Sequence, residues 1–284
     1  MSRRTDSSRG VSDVVAFVLT FSIIITGVGV VSTGGFDRLT EFTADQQVDN
    51  GERGMEAAAV AVDDVHRSND TYREFDLSLS GGNIWFNETA LELRTSGTPT
   101  SNPDLTELGG SNDRARIELN ALEHRFDLSD ETVNIAYEGG GVFRSDTART
   151  RYEPGIRVDG DTAIVSLVNL TTDESIDRSG AYRPDITLDP TSVPQRSPVS
   201  TDRQFVSFSA KWQGQKRVYE TSADNLEIDV SDTAYPRQWG YFFEELESGS
   251  WDNTNNVYSF GSDVETVVIR VSTIELAILP RRTL

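Results

Sequence analysis

Val14-Val15-Ala16-Phe17-Val18-Leu19-Thr20-Phe21-Ser22-Ile23-Ile24-Ile25 is the stretch on which the reading of this chain turns. No charged residue occurs from Val14 to Phe36. A helix of that length reaches about 34 Å, against a hydrocarbon core of roughly 30 Å. The stretch therefore predicts a transmembrane helix over 11–36. Arg3, Arg4 and Arg9 precede it and the acidic bulk of the chain follows. The positive-inside rule then places the N-terminus in the cytoplasm and the C-terminal domain outside.

Three kinds of leader compete for residues 1–36. A secretory signal would be cut near Thr33-Gly34, after the apolar run. Ser2-Arg3-Arg4 hints at a twin-arginine signal, but polar Asp6, Ser7 and Ser8 follow where that signal wants apolar residues. The third kind is cut before the apolar run, so that the helix stays in the mature protein.

Arg9-Gly10-Val11-Ser12, followed at once by the apolar stretch, resembles the class III signal of archaeal type IV pilins. In that family a membrane-embedded aspartyl peptidase cuts after the glycine. The resemblance implies cleavage between Gly10 and Val11 and a retained anchor built on Val14, Phe17, Leu19, Phe21, Ile23, Ile24 and Ile25. It also implies partners: membrane lipid, the prepilin peptidase and other pilin-like subunits. Bacterial relatives carry a glutamate at the fifth mature position, whereas here Asp13 stands at the third. The resemblance is confined to the N-terminal stretch.

Composition narrows the remainder. The 284 residues include 46 acidic and 26 basic ones, a net charge of −20. Nucleic acid is excluded as a partner, because phosphate binding needs a basic face. Lys211 and Lys216 are the only lysines. An acidic surface with Arg in place of Lys suits a high-salt, haloarchaeal setting, where a Debye length of roughly 3 Å screens the carboxylates. No cysteine is present, which removes disulfides, thiolate metal sites and a cysteine nucleophile.

Beyond the anchor, Phe36, Leu39 and Phe42, then Met55, Ala58, Ala59, Val62 and Val65, recur at helical spacing. This predicts a stalk over 37–67, with a break at Asn50-Gly51 and Gly54. The stripe can pack on the protein's own head or on neighbouring subunits. After Asn69 the period becomes two. Phe75, Leu77 and Leu79, a turn at Gly81-Gly82-Asn83, and Ile84-Trp85-Phe86 read as a hairpin. Strands are further expected at Leu91–Leu93, Ile117–Leu119, Leu122–Phe126, Val133–Tyr137, Ile156–Val158, Ala163–Leu170, Val206–Trp212, Leu226–Val230, Val264–Val271 and Ile274–Leu279. One helix, capped by Ser231 or Asp232, carries Tyr235, Trp239, Phe242, Phe243 and Leu246 on its apolar face. Loops are expected at 95–112 and 171–200. The predicted fold is α+β, mainly β. A long N-terminal transmembrane and stalk helix leads to a β-rich extracellular head (68–284), sandwich-like or a meander, with one helix. Residues 1–10 form a basic leader.

Nothing in the motifs points to catalysis or a cofactor. His66 and His124 read as structural, the first as a cation at a helix C-terminus. Asp159-Gly160-Asp161 and Asp173-Glu174 with Asp177 match no calcium loop. Asn69, Asn87 and Asn169 head N-glycosylation sequons, Asn69 being the favoured one at the stalk–head junction. The expected function is that of a pilin-like, membrane-anchored surface protein with a structural or adhesive role. The competing reading is a tethered extracellular enzyme or solute-binding protein.

Overall fold

A computed structural model describes residues 8–67, 71–78, 82–95, 105–111, 113–128, 131–148, 150–172, 205–220, 226–246 and 248–279. For 8–13 and 30–41 this covers the helical backbone alone. The chain divides into two compact units, Met1–Gln47 and Val48–Leu284.

Helix α1, Ser8–Arg67, runs without interruption for 60 residues. Among the described residues no helix is long and apolar enough to cross a membrane. This corrects the transmembrane helix expected over 11–36. The break expected at 50–54 is also absent. Gly51 serves close approach instead: a Cβ there would overlap the ring of Phe126 and crowd His124.

Fourteen strands follow among the described residues, in three sheets. The first contains β1 (Tyr72–Ser78), β8 (Gly155–Asp159), β9 (Thr162–Thr172), β10 (Phe205–Glu220) and β14 (Thr266–Ile278), in the order β1-β10-β14-β9-β8. Strands β9 and β14 run parallel. The other neighbouring pairs of this sheet are antiparallel. The second contains β3 (Ala90–Thr95), β4 (Arg114–Glu118), β11 (Leu226–Asp229), β12 (Gly249–Asp252) and β13 (Val257–Phe260), ordered β12-β13-β11-β3-β4. The third is β2-β5-β6-β7, from Asn83–Asn87, Ala121–Asp127, Thr132–Glu138 and Gly141–Arg144.

These pairings correct two local readings. The hairpin expected from Phe75 to Phe86 does not form, because β1 pairs with β10 and β2 with β5. Val264–Val271 and Ile274–Leu279 belong to one strand, β14. Its burial alternation slips at Val271-Ser272, as that of β9 does at Leu167-Val168, where consecutive residues are both buried. The slip divides each strand between two cores. Val267, Ile269 and Val271 face one with Val165 and Leu167, while Ile274, Leu276 and Ile278 face the other with Val168 and Leu170. Tight turns lie at Asp159-Gly160 and Gly139-Gly140, with Gly160 at φ 63° and Gly139 at φ 63°.

The first core joins the first and second sheets and helix α2 (Pro236–Glu244), which buries Trp239, Phe242 and Phe243. Pro236 takes the first helical position, where its missing N–H costs nothing. The N-cap is Tyr235, with no side-chain cap, while Ser231 and Asp232 lie in a turn ahead of it. The second core joins the third sheet, part of the first, and the end of α1. There Val48, Met55, Ala58, Ala59, Val62 and Val65 are buried, so this stripe packs on the protein's own head. Glu52, on the same segment, pairs with Arg144 (3.1 Å) and Arg151. The expected loop over 95–112 contains a 3-10 turn, Leu105–Leu108, with both leucines buried.

Candidate functional site

Glu138 closes β6, and its side chain is fully buried. Val133, Ile135 and Tyr137 point into the second core, so Ala136 and Glu138 point the other way, towards the first. There Glu138 Oε1 accepts from the Ala234 backbone N–H (2.9 Å), and Oε2 accepts from Trp239 Nε1 (3.0 Å). Burial pushes its pKa up from 4.5, against the lowering effect of the bonds from Ala234, Thr89 and Trp239. Both oxygens are engaged and no solvent reaches them, which leaves no proton-transfer role open to substrate. The carboxyl pins the start of α2 to the third sheet. Sequence reasoning passed over Glu138. Strand parity gave no signal, since Glu138 is in phase with Asn134 and Ala136, opposite the apolar Val133, Ile135 and Tyr137.

A group whose folded pKa is raised contributes stability that is fully present below its unfolded value. That contribution is lost as pH rises through the folded value. For Glu138 the loss begins from pH 4.5 upward. Glu138→Gln keeps an acceptor while removing the charge. It is expected to flatten this part of the pH–stability curve, with a pH-independent loss because its amide NH2 faces one of the two N–H donors, read by urea unfolding at a series of pH values.

A second polar cluster lies where α1 ends. His66 Nδ1 is 2.7 Å from Ser272 Oγ, and Nε2 is 3.0 Å from Ser166 Oγ. Gln215 Nε2 donates to Ser272 Oγ (3.0 Å). Asp63, one turn back, accepts from Tyr152 Oη (2.9 Å) and pairs with Arg67 (2.8 Å). A serine beside a histidine with an aspartate nearby has the composition of a nucleophilic triad. It lacks the access: Ser272 is fully buried between Gln215 and His66, so no carbonyl can approach it. Burial lowers the His66 pKa, against the opposing effect of Asp63. The helix-terminal cation expected from the sequence is thus disfavoured. His124 is fully buried on β5, its ring 4.1 Å from that of Phe126.

A cavity of about 350 Å³ opens near the ends of β2, β4 and β9, lined by Thr89, Arg116, Glu118, Asn120 and Thr171 among others. Its volume is at the small end of the range for ligand pockets. Its best donors are already engaged. Arg116 pairs with Asp232. Asn120, held at φ 53°, donates from Nδ2 to the Leu170 carbonyl (2.5 Å). Among the described residues no group of three His, Asp or Glu is placed to hold a metal ion. Asp159-Gly160-Asp161 forms a hairpin turn, and Asp173, Glu174 and Asp177 lie outside the described residues.

The residues singled out in sequence divide as follows. Gly10 and Val11 lie on the helical backbone of α1. Val14, Phe17, Leu19, Phe21, Ile23, Ile24 and Ile25 are all exposed, from 55% to 71%. Asn87 ends β2 beside exposed Glu88, a position compatible with glycosylation. Asn169 lies within β9, opposite Thr273 in the parallel ladder, and its Oδ1 accepts from Asn120 (3.4 Å). That placement does not suit a surface-loop acceptor. Asn69 lies outside the described residues.

Comparison with curated proteins gave no match, and neither did comparison with solved structures. A family model described as a family of unknown function, DUF7289, matches residues 9–278. That match takes in α1 from its second residue and every described strand, so the chain belongs to the DUF7289 family.

Proposed function

We propose that this protein is a pilin-like structural subunit of a cell-surface assembly, with α1 as its assembly element and no catalytic role. The observation that carries this reading is the exposure of Val14, Val15, Phe17, Val18, Leu19, Phe21, Ile23, Ile24, Ile25 and Val28. At 100° per residue these positions cover all but a sector of about 100° of the helix circumference, and that sector holds the uncharged Ala16, Thr20 and Gly27. A helix with no charged face is buried in its working state. No single flat partner covers so wide an arc, whereas a bundle of like helices does. The net charge of −20 gives the heads a mutual repulsion that molar salt screens. Processing between Gly10 and Val11 and a surface location belong to the same reading.

Full-length protein purified in molar salt is expected to sediment as large assemblies. Ile24→Asp or Leu19→Asp is expected to return it to the monomer, because each places a charge inside the bundle at a cost of several kcal/mol. Electron microscopy and sedimentation velocity read the outcome. Equal sedimentation of wild type and both variants would overturn the proposal. So would wild-type protein that floats with lipid vesicles as a monomer and never self-associates. Mass spectrometry of the native protein is expected to find Val11 at its N-terminus.

A further inference from the structure

We propose that His66 is a proton-sensitive latch that holds the end of α1 on the first sheet and releases it on acidification. The latch is independent of the assembly proposed above.

The latch rests on a neutral imidazole. Ser272 is fully buried, and its Oγ already accepts from Gln215 Nε2 on β10. The hydroxyl proton of Ser272 then has His66 Nδ1, 2.7 Å away, as its acceptor. The tautomer with Nδ1 bare and the ring proton on Nε2, donated to Ser166 Oγ on β9 at 3.0 Å, is the one that gives the Ser272 proton an acceptor in the ring. One neutral imidazole thus ties α1 to two parallel strands, with the third strand bonded to the same serine. Protonating Nδ1 aims two donors at Ser272 Oγ and strands the serine's own proton in the interior. An orphaned buried polar group costs more than the bond it replaces.

The setting works in the same direction. Ser272 stands at the slip in β14 where the strand changes cores, so it faces α1 and not solvent. The charged groups facing the ring are Asp63 and Arg67 from α1 and Arg270 from β14. Of these, Asp63 favours the imidazolium and both arginines oppose it. Asp63 already accepts from Tyr152 and pairs with Arg67, which limits what it offers the ring. From β9 the ring meets Ser166, and β10 reaches it through Gln215.

Burial depresses the folded pKa of His66 below 6.5. The unfolded or released state therefore binds more protons in acid. The latch's contribution is complete above about pH 6.5 and is lost as pH falls through the folded value.

Hydrogen exchange on the full chain at constant high salt tests this, with protection factors corrected for the intrinsic pH dependence of exchange. Amides of Ala58–His66 are expected to lose protection several-fold between about pH 7 and pH 5, while those of β6 do not. In His66→Gln, which cannot titrate, that loss is expected to disappear. A loss of equal size in His66→Gln would sink the proposal, as would unchanged wild-type protection. Should His66→Gln fail to fold, NMR titration of the wild-type imidazoles decides. The chain has only two histidines. A His66 ring that titrates at or above about 6.5, or that carries its neutral-state proton on Nδ1, overturns the latch.

Discussion

Trp239→Ala is expected to lower the unfolding free energy of the head by about 4 kcal/mol. Trp239 is fully buried. Its ring centroid lies 4.9 Å from that of Phe143, 5.7 Å from Phe243 and 6.2 Å from Phe242. Phe243 in turn stacks on Tyr258 at 4.7 Å, which carries the aromatic cluster across to the second sheet. Truncation opens a cavity between α2 and the third sheet, worth about 3–5 kcal/mol for a buried aromatic. It also removes the donor to Glu138 Oε2 and leaves a buried carboxylate oxygen without its partner. Trp239→Phe separates the two effects. It keeps most of the packing and loses the N–H, so about 1–2 kcal/mol is expected. Chemical denaturation followed by near-ultraviolet circular dichroism measures both. A loss under about 1 kcal/mol for the alanine variant would show that α2 is not held through this ring.

Much of the strand order was legible because period-two alternation is a local signal. Ile156–Val158, the Asp159-Gly160 turn and Ala163–Leu170 became a hairpin, and Val133–Tyr137 became β6. Pairing was not legible. Gly81-Gly82-Asn83 carries the chemistry of a tight turn, yet β1 and β2 lie in different sheets, because partner choice depends on residues more than a hundred positions away. The split reading of β14 has a specific cause. At Val271-Ser272 the alternation changes phase, and a phase change in sequence looks the same as a strand end. The fully buried polar groups were invisible for a related reason. Ser272 and Glu138 are ordinary surface residues by type, and only their parity against distant neighbours puts them inside.

The seat of α1 on the third sheet gives the second large effect. Gly51→Leu is expected to destabilise the head by about 3 kcal/mol through overpacking, and Gly51→Ala by about 1–2 kcal/mol. Helix propensity alone predicts the opposite for alanine, a gain of up to about 1 kcal/mol in a helix interior. The two effects meet at one atom, since a Cβ on Gly51 would fall within the ring of Phe126. That ring is fully buried against His124 and has no free side to turn towards. Nor can the helix lift to make room. Glu52, the next residue, is buried and paired with Arg144 on β7 and with Arg151. Pulling it away would leave a charge buried without its partners. Gly29 supplies the control, because a Cβ there meets nothing within 4 Å. Gly29→Ala is expected to raise helicity near that residue without altering head stability. Urea unfolding of the glycine variants, with circular dichroism at 222 nm, separates seating from propensity. A Gly51→Ala protein more stable than wild type would mean that α1 does not rest on Phe126, and the second core would then lack its helical wall.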